Sequence, residues 1–385
     1  MRHNIVLLGA GGRESQAKVR HYRAAATRLD LDVADYPNAQ TLGIISCSDF
    51  RAAEASWLAQ SRGIRGADPL AATVATSKSL AYSAMRRAGF DTLWFVIPRC
   101  DDDLRTSPYG GPVIVKPDRG SGGFAEHPWA YRTFESVQAF REALIDAELL
   151  EAFLAYQNDP PMHHGAYLVM EYVESPLITA AAVAGGDDLA FYESGTAEMV
   201  ESDGRLSAAC YVLGPNETAH DARVFVEALV EQGLRHAVVY VQCVEKAGRL
   251  YPIDFNLRPS TMSDYAVDGL GLAFCEAALA YQLGLSRTFE FRWPHPYVAI
   301  RRVVIPLCPG TREVDYGPDC IPLVQRLHYD EDRPYDVGDA WPMFAVTGAS
   351  QAACRSRAET IARRIETALT SEQDLATVAA APAAS

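Results

Sequence analysis

Two short stretches carry most of the residue types that chemistry needs. The first runs Val113-Ile114-Val115-Lys116-Pro117-Asp118-Arg119-Gly120-Ser121-Gly122-Gly123. It reads as an apolar strand that ends in a lysine and opens into a glycine-rich loop. A lysine at a strand end is a compact point charge suited to phosphate oxygens. Gly120, Gly122 and Gly123 let the backbone take positive φ and turn N–H groups toward a phosphate, and Ser121 adds a hydroxyl donor. The second stretch runs Tyr251-Pro252-Ile253-Asp254-Phe255-Asn256-Leu257-Arg258-Pro259. Asp254 and Asn256 are two apart in a strand pattern, so both side chains leave one face. A carboxylate beside an amide oxygen is the hard donor set that magnesium takes. Arg258 continues that face and suits a transferred phosphoryl group or a substrate carboxylate, gripped by two donors at once. A hairpin around Lys246-Ala247-Gly248-Arg249 brings Gln242 opposite Asp254 as a third oxygen donor. Each stretch alone also fits a plainer reading, a surface turn with a snorkelling lysine or a solvated polar strand face. Together they point to a nucleotide site with its own divalent metal.

The elements that must hold these residues follow from the apolar pattern. A strand at 5–8, the Gly9-Ala10-Gly11-Gly12 turn, a helix at 14–29, strands at 33–36 and 43–47 and a helix at 51–61 imply a small parallel α/β unit over residues 1–75. A helix at 77–89 has a polar start and a glycine stop. Residues 98–111 read as an acidic loop, 112–116 as a strand, 134–147 as a helix and 167–173 as a strand, with an irregular segment at 158–165. Strands then follow at 178–184, 189–194 and 206–212, a helix at 221–233, a hairpin from 237–244 and 250–255, and a helix at 274–283. Strands at 298–306, 323–328 and 344–347 and a helix at 352–369 make a small β-rich closing piece. The alanine-rich residues 376–385 read as a frayed tail.

The composition sets bounds. A net charge of −14 over 385 residues argues against non-specific binding to nucleic acid or an anionic membrane, so an anionic nucleotide needs a local cluster of cations. The eight cysteines form no CxxC pair and suit reduced thiols in the core of a cytoplasmic protein. No apolar run is long enough for a membrane span or a signal peptide. The glycine loop lacks the GxxxxGK[ST] spacing of a P-loop, and no GxSxG nucleophile elbow occurs. Gly9-x-Gly11-Gly12 is a weak dinucleotide signal because no acidic residue closes a second strand at the right distance. The first unit therefore reads as structural, with Arg13 as a group that can touch a substrate anion. His163-His164 are adjacent in a proline-rich loop, a poor geometry for joint ligation, so they read as a loop or lid. Glu193 and Glu198 read as a solvated strand face.

Over residues 75–285 the chain resembles the ATP-grasp superfamily, the carboxylate–amine ligases and relatives such as D-alanine–D-alanine ligase, biotin carboxylase and glycinamide ribonucleotide synthetase. The resemblance implies an α/β ATP-grasp fold with an N-terminal Rossmann-like lobe (1–75), nucleotide-binding and catalytic lobes (76–290), a β-rich closing subdomain (291–375) and a disordered tail (376–385). It implies Lys78 and Lys116 as the nucleotide-contacting lysines and Gly120, Ser121, Gly122 and Gly123 as the loop over the phosphates. Val169-Met170-Glu171-Tyr172-Val173-Glu174 resembles the inter-lobe hinge, where main-chain groups of Glu171 and Val173 hold adenine. Gln242, Asp254 and Asn256 resemble the metal ligands, and Arg258 the arginine that steadies an acyl phosphate, with Lys116 as its catalytic companion.

Three departures stand out. Gln242 occupies a position that is usually acidic. The stretch Leu177-Ile178-Thr179-Ala180 lacks the usual ribose-binding glutamate, for which Glu174 is the substitute. The start Leu7–Glu14 resembles that of glycinamide ribonucleotide synthetase, whereas the run 254–259 does not continue as that enzyme's does. The implied activity is ATP- and Mg2+- (or Mn2+-) dependent amide bond formation between a small carboxylate and an amine, releasing ADP, with homodimerisation as an expectation from relatives. The alternatives are a regulatory module that binds ATP without turnover, and a kinase- or carboxylase-like member.

Overall fold

Local sequence dictates where each element starts and stops. The computed structural model describes residues 2–9, 13–120, 127–161, 165–186, 188–202, 205–214, 221–259, 270, 272–293, 295–305, 310–324, 326–329 and 341–380. The chain opens with β1 (Asn4–Leu8), α1 (Arg13–Arg28), β2 (Asp32–Ala34), β3 (Thr41–Ser46) and α2 (Asp49–Ser61). The strands pair in parallel in the order β2–β1–β3, as alternation of strands and helices requires. β2 stops short of the expected 33–36 because Pro37 follows Tyr36 and has no N–H for a ladder.

Two capped helices lead to the second unit. Asp68 accepts from the N–H groups of Leu70 (2.9 Å) and Ala71 (3.0 Å) at the start of α3 (Pro69–Ala75), and Ser77 caps α4 (Lys78–Arg87). Next come β4 (Phe95–Val96), α5 (Asp101–Arg105), β5 (Val113–Pro117), β6 (Thr133–Phe134), α6 (Val137–Asp146), α7 (Leu150–Asn158) and β7 (Tyr167–Glu171). The four strands form an antiparallel sheet, β4–β7–β5–β6, over its own core of Val113, Val115, Phe140, Phe153 and Val169. Three sequence expectations change here. Residues 98–111 contain α5, whose first turn of three aspartates suits a helix N-terminus; Asp103 accepts from the N–H groups of Arg99 (2.6 Å) and Cys100 (3.1 Å). The helix expected from 134 starts at Val137, because Ser136 caps it and Thr133–Phe134 pairs with β5. α7 is a helix that the pattern did not reveal.

A large antiparallel sheet forms the rest. Its strands are β8 (Leu177–Ala184), β9 (Leu189–Ser202), β10 (Arg205–Leu213), β11 (Ala237–Lys246), β12 (Arg249–Asn256), β13 (Tyr297–Arg302), β15 (Ile321–Val324) and β17 (Met343–Gly348). The order is β12–β11–β8–β9–β10–β13–β17–β15. The chain also forms α8 (Arg223–Glu231), α9 (Phe274–Gln282), α10 (Gln351–Ala380) and a separate two-stranded pairing of β14 (Gly310–Glu313) with β16 (Arg326–Tyr329). β13, β17 and β15 thus extend the central sheet rather than closing a sheet of their own. The strand expected at 323–328 divides between β15 and β16, and β9 runs on to Ser202 where an end at 194 was expected. The last helix reaches Ala380, well into the stretch read as a frayed tail. Among the described residues no helix is long and apolar enough to cross a membrane, and the described cysteines are unbridged, mostly buried thiols.

Candidate active site

The two lysines meet strand β12 at a buried junction between the small and large sheets. β5 carries Lys116 to its end, where the Nζ donates to the main-chain oxygen of Ile253 at 2.6 Å, next to Asp254 on β12. Lys78, the first residue of α4, lies with its Nζ 3.2 Å from Asp254 Oδ1 and donates to Gly120 O at 2.7 Å. Both lysines are buried. Burial pushes the Lys116 ammonium down from its usual value to about 7; the positive charge of Lys78 works in the same direction and Asp254 against it.

The β11–β12 hairpin pairs Lys246 with Arg249, and a register shift between Gln242 and Cys243 moves the oxygen donors one residue from where that pairing alone would set them. Gln242 stands directly across from Asp254, and Tyr240 across from Asn256. Paired residues share a face, so Gln242, Asp254 and Asn256 form one polar cluster. A carboxylate and two amide oxygens are donors of the right hardness for magnesium. Gln242 also donates to the Tyr240 hydroxyl at 3.3 Å.

Arg258 differs from expectation. β12 ends at Asn256, so Arg258 lies beyond the strand and does not continue its face. Its Nε donates to Asp49 Oδ2 at 2.7 Å and its Nη1 to Pro259 O at 2.9 Å. Asp49, at the start of α2, also accepts from the Leu257 N–H at 2.9 Å. Burial raises the Asp49 carboxyl above its usual range; Arg258 opposes that rise, and Asp254 adds to it. An N-terminal carboxylate thus orients the arginine beside the metal-type strand.

Three further residues organise this junction without a sequence signal that singles them out. Asp118 accepts from Ser77 Oγ (2.7 Å) and the Ser79 N–H (2.8 Å), and its main-chain oxygen accepts from the Lys78 N–H (2.9 Å). This ties the lysine on α4 to the strand bearing the other lysine. Tyr82 donates to Ile253 O at 2.5 Å, and its ring lies 6.0 Å from Lys116 Nζ. Asp49 is the third. The one available cue was position: Asp118 follows Lys116 by two residues, and Asp49 opens a helix.

Gly120 begins the loop with φ +81°, and a methyl group there would lie 2.4 Å from the Phe50 ring. Gly120→Ala is therefore expected to lower stability by about 1–3 kcal/mol, read as a lower denaturation midpoint; an unchanged midpoint contradicts the strain. Ser121, Gly122, Gly123 and the His163-His164 pair lie outside the described residues.

In the stretch that resembles a hinge, the Glu171 N–H donates to Trp94 O at 2.9 Å, and its carboxylate takes Lys246 Nζ at 2.5 Å. Val173 is half-buried beside it, and Glu174 is exposed. Glu193 corrects an expectation: it is 3% exposed, not solvated, because β9 lies inside the large sheet. Glu198 pairs with Arg355 at 2.9 Å.

No family model and no curated sequence matches the chain. Solved structures do. An L-amino acid ligase from Bacillus licheniformis aligns over 94% of this chain and 97% of its own, with TM-score 0.65 and 13% identity. A carboxyaminoimidazole ribonucleotide synthase from Aspergillus clavatus complexed with ATP aligns over 94% and 99%, with TM-score 0.64 and 12% identity. The chain has the ATP-grasp fold. A biotin carboxylase domain from Hydrogenobacter thermophilus, in complex with MgADP and bicarbonate, aligns over 94% and 90%, with TM-score 0.64 and 14% identity.

Proposed function

We propose that the chain is an ATP-dependent carboxylate–amine ligase that forms an amide or peptide bond on a small, amino-acid-like substrate and releases ADP and phosphate. The observation that carries this reading is the meeting of Lys78, Lys116 and the Ile253–Asp254 stretch at one buried junction. The ATP-grasp fold supports it, as do neighbours solved as an L-amino acid ligase and with ATP or MgADP bound.

Lys116 and Lys78 supply charge for the phosphates, and the loop from Gly120 to Gly123 supplies amide donors with the Ser121 hydroxyl. The Glu171 carbonyl and the Val173 N–H take the adenine edge, and Glu174 the ribose. Gln242, Asp254 and Asn256 would hold Mg2+ or Mn2+, which would offset the charge of the phosphates. Arg258, fixed by Asp49, holds the anion that forms at the substrate. The substrate carboxylate attacks the γ-phosphorus and ADP leaves. An amine then attacks the acyl carbon of the acyl phosphate, phosphate departs, and the amine proton passes to solvent. Placement and electrostatics suffice, without a covalent protein nucleophile. The divisions at residues 75, 290 and 375, and a homodimer, belong to the same proposal; limited proteolysis and mass in solution test them.

The decisive experiment is ADP release with pooled amino acids. Mass spectrometry of the product separates an amide from a phosphorylated or carboxylated compound. Gln242 in place of an acid favours the second reading, a module that binds ATP without turnover, and that reading predicts binding with no ADP release. Asp254→Asn is expected to raise the magnesium concentration for half-maximal activity at least about tenfold. An unchanged magnesium titration removes Asp254 from the metal set.

A further inference from the structure

Lys78 belongs with the phosphate donors and Asp254 with the metal donors, yet the two bind each other. Lys78 Nζ lies 3.2 Å from Asp254 Oδ1, and the side chains are 4% and 14% exposed. Each also has a neutral partner. The Lys78 ammonium donates to Gly120 O at 2.7 Å, and the same Asp254 oxygen accepts from the Phe255 N–H at 3.0 Å. The two residues are anchored independently. The Lys78 N–H donates to Asp118 O at 2.9 Å at the start of α4, and Asp254 is held by the pairing of β11 with β12. A lysine has a long flexible stem, so its ammonium can change partner while α4 and β12 stay in place.

A buried carboxylate needs a positive partner, and Lys78 supplies one. A divalent cation on the same carboxylate would lie close to that ammonium. It would also lie close to Lys116, whose Nζ rests on the neighbouring Ile253 O. Like charges at such range inside a protein weaken binding by about tenfold or more. The metal donors bring little charge to overcome this, because Gln242 and Asn256 offer amide oxygens and Asp254 alone of the three is a carboxylate. Phosphates change the balance. They attract both ammoniums and bring negative charge of their own, which leaves Asp254 to the cation.

We propose that Lys78 is the resident counter-ion of Asp254 and yields it to the divalent cation only when nucleotide phosphates take the ammonium. Metal and nucleotide therefore bind cooperatively, and each alone binds weakly. The inference rests on the nucleotide-ligase reading above and adds to it the coupling between its two ligands.

Lys78→Met keeps an apolar stem and removes the charge. Manganese is titrated into the full chain without nucleotide, and binding is followed by loss of the free ion's electron paramagnetic resonance signal. The variant should bind manganese about tenfold or more tighter than wild type. Asp254→Asn tests the other partner. It releases the ammonium, so AMP-PNP in the presence of EDTA should bind about three- to tenfold tighter than to wild type, whereas Mg·AMP-PNP binds more weakly. A contact that only holds the fold together cannot give a gain for one ligand and a loss for the other, because loosened packing weakens both. Equal manganese affinity in wild type and Lys78→Met overturns the proposal. So does metal-free AMP-PNP affinity in Asp254→Asn at or below the wild-type value. A wild type that binds AMP-PNP neither with nor without magnesium brings down the nucleotide reading instead. The manganese comparison needs no nucleotide, so the two failures are told apart.

Discussion

Lys116→Ala is expected to abolish nucleotide-dependent ADP release and to weaken Mg·AMP-PNP binding by about a hundredfold or more, since a charged donor to phosphate contributes more than a neutral one. Calorimetric titration of the variant measures it, and wild-type turnover would remove Lys116 from the site. The same residue predicts a pH dependence. Burial, helped by Lys78 and opposed by Asp254, lowers its pKa from 10.5 to about 7. Phosphate oxygens favour the charged amine, so above pH 7 nucleotide binding takes up a proton. Affinity should fall as pH rises through and beyond 7, by up to about tenfold per unit. Binding heats at pH 8 in buffers of different ionisation enthalpy detect the proton; heats that do not depend on the buffer contradict it. For stability the sign runs the other way. Between the folded value near 7 and the unfolded value of 10.5, the unfolded chain holds the extra proton. Wild type therefore gains stability relative to Lys116→Ala as pH rises across that window.

Asp49→Ala carries the second large effect. Asp49 and Arg258 are both buried, and the carboxylate takes the arginine Nε at 2.7 Å and the Leu257 N–H at 2.9 Å. Removing the acid leaves a buried guanidinium and an amide without their acceptor, at a cost of about 3–5 kcal/mol. That is a large share of the roughly 5–15 kcal/mol that holds a typical native fold. Urea denaturation reads it as a lower midpoint at unchanged slope. Asp49→Ala combined with Arg258→Met should cost less than the two single changes summed, because neither charge is then left alone. Simple additivity would show that the pair is not coupled.

These two sites differ in how visible they are in the sequence. Lys116 lies at the end of an apolar run before a glycine loop, and Asp254 and Asn256 lie two apart in a strand. Both patterns are local, and the β-strand period of two forces the second pair onto one face. Chain spacing brought Gln242 near Asp254 on the hairpin, and a register shift between Gln242 and Cys243 set it directly across. Asp49 gave no such signal. It reaches Arg258 across 209 residues, through packing of the first α/β unit against the end of β12. The same is true of Tyr82, which is one apolar helix position among several until its hydroxyl meets Ile253 O.

The sequence alone determined the alternation of elements, the parallel first sheet, the strand that ends at Lys116 and the Asp-x-Asn strand, because each depends on residues within about a dozen positions of one another. The tertiary structure decided what those residues do to each other. It joined β13, β17 and β15 to the central sheet, buried Glu193, turned Arg258 off the strand face onto Asp49, and brought Lys78 and Asp254 within 3.2 Å. Such contacts arise when apolar faces bury together, and burial is summed over the whole chain, so no local window contains them. The same burial moves Lys116 from an ordinary surface cation to one that titrates near neutrality.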